Sequence, residues 1–351
     1  MLSFSSALLA LAACAITVVH SAPTVTDDDI LQYALTLEHL ESAFYSGALE
    51  KLKASDFAAG GEQHALFEQI AGHEAAHVSL LQTVLGDKAT KACNYSFPYT
   101  DVQSFKALAQ VLEGVGVTAY LGAAQYITNP AYLTAAGAIL TTEARHAAWL
   151  ASTNSKDPWS GPYDTPLGFS QVYSLAAGFI TGCPESNPKL PVTAFPALTA
   201  ANSTDLKSGQ SLTLTVPGDF KAGNGSVYVA FLNGLTPIFV PYTTNQSVTI
   251  PSGINATGTV YAVLTSSNAT VTDENTLAGP AILMFNPQYP SGVVTGSSTG
   301  GGSGMPGTDG NGNTINSDGS TTGSGTGAAS SVALSSTIVV FTVALTFLAL
   351  V

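Results

Sequence analysis

Two short stretches place a carboxylate three residues before an imidazole: Glu74 and His77 in AGHEAAHVSLL, and Glu143 and His146 in LTTEARHAAWL. Residues three apart share one face of a helix, so each pair can offer two ligands to a metal ion, or can merely satisfy one another as a buried polar pair. Between Asp87 and Pro184 the only glutamates are Glu113 and Glu143. Surface acids come in numbers with basic partners. A solitary acid among Ala, Val, Leu and Gly points instead to a partner inside the protein. Upstream, Glu38 and Glu41 compete for the same role. Glu38 is preferred because Tyr45 follows it by seven residues, as Tyr120 follows Glu113, and seven residues is close to two helical turns.

The candidate set is then Glu38, Glu74, His77, Glu113, Glu143 and His146. Two divalent ions a few ångströms apart repel, so carboxylates that bridge them are needed, and four negative charges nearly neutralise two such ions for burial. Two imidazoles cap the outer positions and leave room for O₂, peroxide or water. Mixed oxygen and nitrogen ligation favours two Fe or two Mn ions over a thiolate-rich zinc site. Tyr45 and Tyr120 are either core aromatics or a redox or proton relay. Arg145, the chain's single arginine, either pairs with a carboxylate behind the ligands or is solvated. His39, His64 and His73 are offset from the ligand face and are expected at the surface or at helix ends.

The elements that must position these groups come from start and stop signals. Thr26 before three aspartates opens a helix over about 27–50. Ser55 and Asp56 precede a segment whose main helix runs to about 85 and stops at Gly86. Thr100 with Gln103 predicts a capping box for a helix over 101–128, and Asn129-Pro130 starts another over 130–153. Thr165-Pro166 predicts a shorter fifth helix over 166–181. The first and second helices, and the third and fourth, have short links and should form antiparallel hairpins. The longer 87–99 link allows a crossover along a four-helix bundle. Residues 190–288 change character: SLTLTV, SVYVAFL, PIFVPY, SVTI, TVYAVL and AILMF read as short strands, with Asn233-Gly234 as a hairpin turn. Residues 291–327 are Gly, Ser and Thr and read as a flexible stalk.

The 351 residues are 45% hydrophobic and only 9% charged, with a formal net charge of −13. Ten basic residues against 23 acidic ones exclude nucleic acid as a partner. Residues 1–21 read as a secretory signal peptide cleaved after Ser21. Residues 328–351 form an apolar tail preceded by small residues, the pattern of a GPI-anchor signal, with a plain transmembrane helix as the alternative. Cys93 and Cys183 would remain after cleavage and in an oxidising compartment make one disulfide. Six sequons, at Asn94, Asn202, Asn224, Asn245, Asn255 and Asn268, predict N-glycosylation. The expected location is the extracellular face of the plasma membrane or the cell wall.

The segments LEHLESAFY, GHEAAHVSLL, LEGVGVTAYLGAAQ and EARHAAWL together resemble the ferritin-like superfamily. Within it they resemble the secreted fungal stress- or starvation-response proteins and the plant desiccation-related proteins. The resemblance covers about residues 27–155 and implies the same six metal ligands, with Tyr45 beside the centre. The expected fold class is α+β multidomain: the resemblance implies a ferritin-like four-helix bundle, with a fifth short helix, over 24–184, and the strand pattern of 190–288 itself reads as an immunoglobulin-like β-sandwich. It also implies a di-iron or di-manganese centre with ferroxidase or peroxide-detoxifying activity in stress protection. The alternative is a non-enzymatic wall or adhesion protein, the bundle a scaffold and the β-sandwich a module for glycan or protein. The extra β-domain argues against a mineral-storing cage, and no CxxC electron-transfer module is present.

Overall fold

The computed structural model describes residues 25–57, 61–218, 220–221, 225–243, 247–254 and 257–285, together with three two-residue strands further on. The predicted signal peptide and anchor tail, and Asn224, Asn245 and Asn255, lie outside the described residues.

Four long helices carry the first half: α1 (Asp27–Lys51), α2 (Glu62–Leu85), α3 (Val102–Ala123) and α4 (Pro130–Thr153). Thr26 caps α1 through the Asp29 backbone N–H, and the Asp29 side chain accepts from Thr26 in return. Asn129 caps α4, with Pro130 in its first turn as predicted. At α3 the cap is one residue later than expected. Asp101 accepts from the Ser104 N–H at 2.8 Å while Ser104 Oγ accepts from both Thr100 N and Asp101 N, a tighter reciprocal box than Gln103 could make. That helix also ends earlier, at Ala123, and one 3₁₀ turn carries the chain to Tyr126.

The predicted fifth helix is shortened to α5 (Phe169–Ala177). Thr165 does not cap it. Its hydroxyl accepts from Gly234 N–H of the β region, and the helix starts at Gly168, where the Gln171 side chain accepts from the Gly168 N–H. Asp273, from the loop before the last long strand, accepts from Ser170 N–H. The β region therefore supplies a cap that local sequence does not encode.

Burial is unequal among the four helices. α1 and α3 each bury 14 residues, α2 five and α4 six. α1 and α3 are thus an inner pair covered on both sides, and α2 and α4 are outer helices with one buried stripe. The 86–99 link is tied down by His39, whose Nε2 lies 3.1 Å from the Thr90 carbonyl, and by Gln32, which bonds Thr90 N and the Lys88 carbonyl. The disulfide Cys93–Cys183 joins this link to the strand that follows α5 and closes a 90-residue separation. Its flanks pair as β1 (Asn94–Tyr95) and β2 (Ile180–Gly182).

The second half is two antiparallel sheets. One has the order β3 (Thr199–Ala200), β4 (Ser211–Thr215), β7 (Ser247–Thr249); the other β6 (Ile238–Tyr242), β5 (Val227–Leu232), β8 (Gly258–Thr265), β9 (Thr276–Phe285). The chain changes sheet between β4 and β5, and again on each side of β7, as in immunoglobulin-like sandwiches. β3 escaped the sequence reading because it is two residues long, and β9 begins five residues before the expected AILMF run. Leu212 and Leu214 face Val229, Phe231, Val260, Ala262 and Leu264 across the sandwich. The alternate residues of β5 and β8, Ala230, Leu232, Tyr261 and Val263, join the core of the helices. A sheet buried on both faces reads as continuous apolar runs, which SVYVAFL and TVYAVL nearly are. Bundle and sandwich thus share a core.

One contact in that shared region admits no side chain. A Cβ on Gly122 of α3 would lie 1.9 Å from the Leu167 carbonyl oxygen. Gly122→Ala gains helix propensity of about 1 kcal/mol but must displace the backbone of the 165–168 segment. The net expected effect is a loss of about 2 kcal/mol, read as a melting temperature lower by about 4–8 °C; an unchanged or higher temperature would contradict this packing.

Further along the chain, β10 (Gly307–Thr308), β11 (Thr314–Ile315) and β12 (Thr321–Thr322) form a small antiparallel sheet in that order.

Candidate metal centre

The six residues singled out in the sequence converge in the middle of the bundle. Glu38, Glu74, Glu113 and Glu143 are fully buried, one on each helix. His77 Nδ1 lies 3.2 Å from Glu38 Oε2, 3.3 Å from Glu74 Oε2 and 3.2 Å from Glu143 Oε1. His146 Nδ1 lies 3.1 Å from Glu113 Oε2 and 3.4 Å from Glu74 Oε1. Two groups of possible ligand atoms result: Glu38, Glu74, His77 and Glu143, and Glu74, Glu113, Glu143 and His146. Within each, the atoms lie within 4.8 Å of one another. Glu74 and Glu143 belong to both groups. Glu38 and Glu113, the outer carboxylates, belong to one each.

The tyrosines are arranged differently from the sequence pairing. Tyr45 and Glu38 share a helix, as do Tyr120 and Glu113, yet each hydroxyl crosses the bundle. Tyr45 donates to Glu113 Oε1 at 2.5 Å and Tyr120 donates to Glu38 Oε1. Glu38 and Glu113 thus each have one oxygen held by a tyrosine and the other turned to a histidine. Burial pushes both phenols well above their ordinary value.

Other outcomes were not legible. Glu41, set aside in favour of Glu38, is also buried, and burial followed by the charges of Glu143 and Glu74 pushes its carboxyl well up. Its Oε1 and Glu143 Oε2 each lie 3.1 Å from where a Cβ on Gly116 would stand, so Gly116 makes room for a fifth carboxylate beside the four. His39 is buried rather than on the surface. His73 is exposed but touches the centre, its Nδ1 2.9 Å from His146 Nε2. The signal for it was its place four residues before His77, on the same face. His64 stands apart, near Glu68 and edge-on to Phe57. Arg145 pairs with no carboxylate among the described residues; it is exposed and donates to Thr142 Oγ1.

Four carboxylates cannot all ionise in such a space without counter-charge. Burial pushes Glu38 and Glu113 up to about 8, and Glu143 well above its ordinary range with Glu113 adding repulsion. At Glu74 burial is outweighed by hydrogen bonds and charge from His146 and His77, which bring it to about 2. His77, against its own burial, is raised to about 12 by Glu143, Glu38 and Glu74. Glu38 Oε2, Glu74 Oε1 and both oxygens of Glu143 have no hydrogen-bond donor of good geometry. Buried carboxylate oxygens without donors are costly, and cations would satisfy them. The donor set fits two divalent metal ions. A cleft of about 580 Å³ between α2 and α4 reaches the centre, bordered by His73, His77, Arg145, His146, Gln69 and Trp149. Around Tyr45, the fully buried rings of Phe44, Phe67 and Phe105 pack against its ring.

Residues 26–156 match the family described as ferritin-like domain, and this part of the chain is a ferritin-like domain. Protein rds1 of the fission yeast Schizosaccharomyces pombe is 31% identical over 175 residues, 49% of this chain and 44% of that protein. The chain thus spans less than half the length of the curated relative it matches.

Proposed function

We propose that this is a cell-surface protein whose ferritin-like domain holds two iron or two manganese ions and uses them against small oxidants, in stress protection. The observation that carries it is the pair of overlapping ligand groups that share Glu74 and Glu143. Two redox-active ions there would supply one electron each to dioxygen or peroxide. Glu38, Glu74, His77, Glu113, Glu143 and His146 would hold them. Tyr120 and Tyr45 fix Glu38 and Glu113 in place, and the α2–α4 cleft admits an oxidant to the histidine side. The test is consumption of H₂O₂ and of O₂ by protein loaded anaerobically with Fe(II), beside a Glu74→Gln/Glu143→Gln double variant. Turnover in the parent and none above free Fe(II) in the variant would support the proposal. Equal rates in both would leave the bundle a scaffold and favour the adhesion alternative.

The proposed location is the extracellular face of the plasma membrane or the wall, reached through a cleaved signal peptide and kept by a GPI anchor. The disulfide Cys93–Cys183 suits an oxidising compartment, and the acceptor sites Asn94, Asn202 and Asn268 are exposed. Release from intact cells by a phosphatidylinositol-specific phospholipase is expected; protein recovered only from the cytosol would count against it.

A further inference from the structure

The two halves of the centre are not equivalent. We infer that His73 is a positioning residue that holds His146 with its proton on Nε2, and so makes the Glu113–His146 half the tighter of the two metal positions; this rests on the two-metal proposal above. The imidazoles of His73 and His146 are nearly coplanar, 5° apart, with centroids 5.2 Å apart. The facing nitrogens, His73 Nδ1 and His146 Nε2, are 2.9 Å apart. Coplanar rings with the close nitrogens between them form an in-line hydrogen bond, not a face-to-face stack. An N–H on one side and a lone pair on the other are required. With His73 Nδ1 as acceptor, a metal-bound His146 would carry its proton on Nε2 and turn the lone pair of Nδ1 to an ion held by Glu113 and Glu74, whose oxygens lie 3.1 and 3.4 Å from that nitrogen. That nitrogen is the one a metal between those carboxylates needs.

His77 also turns Nδ1 to the centre, at 3.2 Å from Glu38 and from Glu143. No hydrogen bond of its Nε2 is found among the described residues, and the ring borders the α2–α4 cleft. No described side chain selects its tautomer or fixes its ring from behind. Partners that bond the outer nitrogen of a ligating histidine change metal affinity by about 10–100-fold. His73 is exposed, so water competes for the bond and about tenfold is expected.

The test is calorimetric titration with Mn(II) alone of the metal-free parent and of His73→Leu and His73→Asn, the latter placing an amide oxygen where Nδ1 accepts. Two Mn(II) of unequal affinity are expected in the parent. Leu should weaken the tighter position about tenfold and leave the other unchanged, and Asn should restore it. In ¹⁵N-histidine spectra of the Zn(II)-loaded protein, His146 should show a slowly exchanging Nε2–H in the parent and the Asn variant, and fast exchange in the Leu variant. Two equal positions in the parent, or a Leu variant that titrates like the parent, would overturn the role of His73 and leave the two-metal centre standing. A parent that binds no Mn(II) would overturn both.

Discussion

Glu74→Gln and Glu143→Gln are each expected to empty both metal positions, whereas Glu38→Gln and Glu113→Gln should empty one. The difference follows from membership: Glu74 and Glu143 reach both ligand groups, Glu38 only that of His77, and Glu113 only that of His146. Losing a shared carboxylate removes a ligand from each ion and also the negative charge that allows two cations to lie close together. The expected metal content falls from about two per chain towards zero for the shared pair and to about one for the others. The metal-free proteins should behave in the opposite sense. Burial pushes the Glu143 carboxyl well above its ordinary range, so in the metal-free protein it keeps its proton, and glutamine replaces one neutral group by another of nearly the same shape. Glu143→Gln should therefore melt no lower than the metal-free parent. Loss of metal together with a collapse in melting temperature would show instead that Glu143 holds the fold.

The second large effect is the pH dependence of the metal-free protein. Glu38 and Glu113 ordinarily titrate near 4.5 and in the fold near about 8. Between these values the folded chain keeps protons that the unfolded chain has released, so stability falls as pH rises. It is undiminished below about 4.5 and lost as pH climbs through 8. His77 has the same sign, since its value rises from 6.5 to about 12 and the folded chain keeps its proton across neutral pH. Glu74 works oppositely: its contribution is present above 4.5 and lost as pH falls towards 2, outside the pH 5–8 window. A tenfold change in how tightly a group holds its proton corresponds to about 1.4 kcal/mol, so the metal-free fold is expected to lose several kcal/mol between pH 5 and 8. Whole domains are stable by about 5–15 kcal/mol, so a loss of this size removes a large part of what holds the metal-free fold. Metal ions replace those protons and bind better as pH rises, so the loaded protein should escape the loss. Melting curves at pH 5 and pH 8, with chelator and with Mn(II), check this; a metal-free protein equally stable at both would contradict the buried, mutually repelling carboxylates.

The centre was legible because its carboxylates are conspicuous where they stand. Glu113 and Glu143 lie alone on apolar helices, and the Glu-x-x-His spacing repeats on α2 and α4. Local chemistry also placed the caps at Thr26 and Asn129 and the turn at Gly234, whose φ of 69° suits glycine. What escaped depends on tertiary contact. The start of α5 is set by Asp273 and Gln171 rather than by Thr165-Pro166. Tyr45 and Tyr120 point across the bundle, and seven-residue spacing reports a shared face but not a partner. His39 is buried because the crossover folds back on it. Glu41, the rival to Glu38, and His73, four residues before His77, were within reach of the sequence, but their places depend on tertiary contact, Glu41 through the space at Gly116 and His73 through the ring of His146.

The most direct test of the two-ion centre is the metal-to-protein ratio of the intact chain. Purified protein would be loaded with Mn(II), or with Fe(II) under anaerobic conditions, desalted, and measured by plasma mass spectrometry. About two ions per chain, falling to none in the Glu74→Gln/Glu143→Gln double variant, is the expected result. No retained metal, or equal metal in parent and variant, would mean that the four glutamates and two histidines do not form a metal centre.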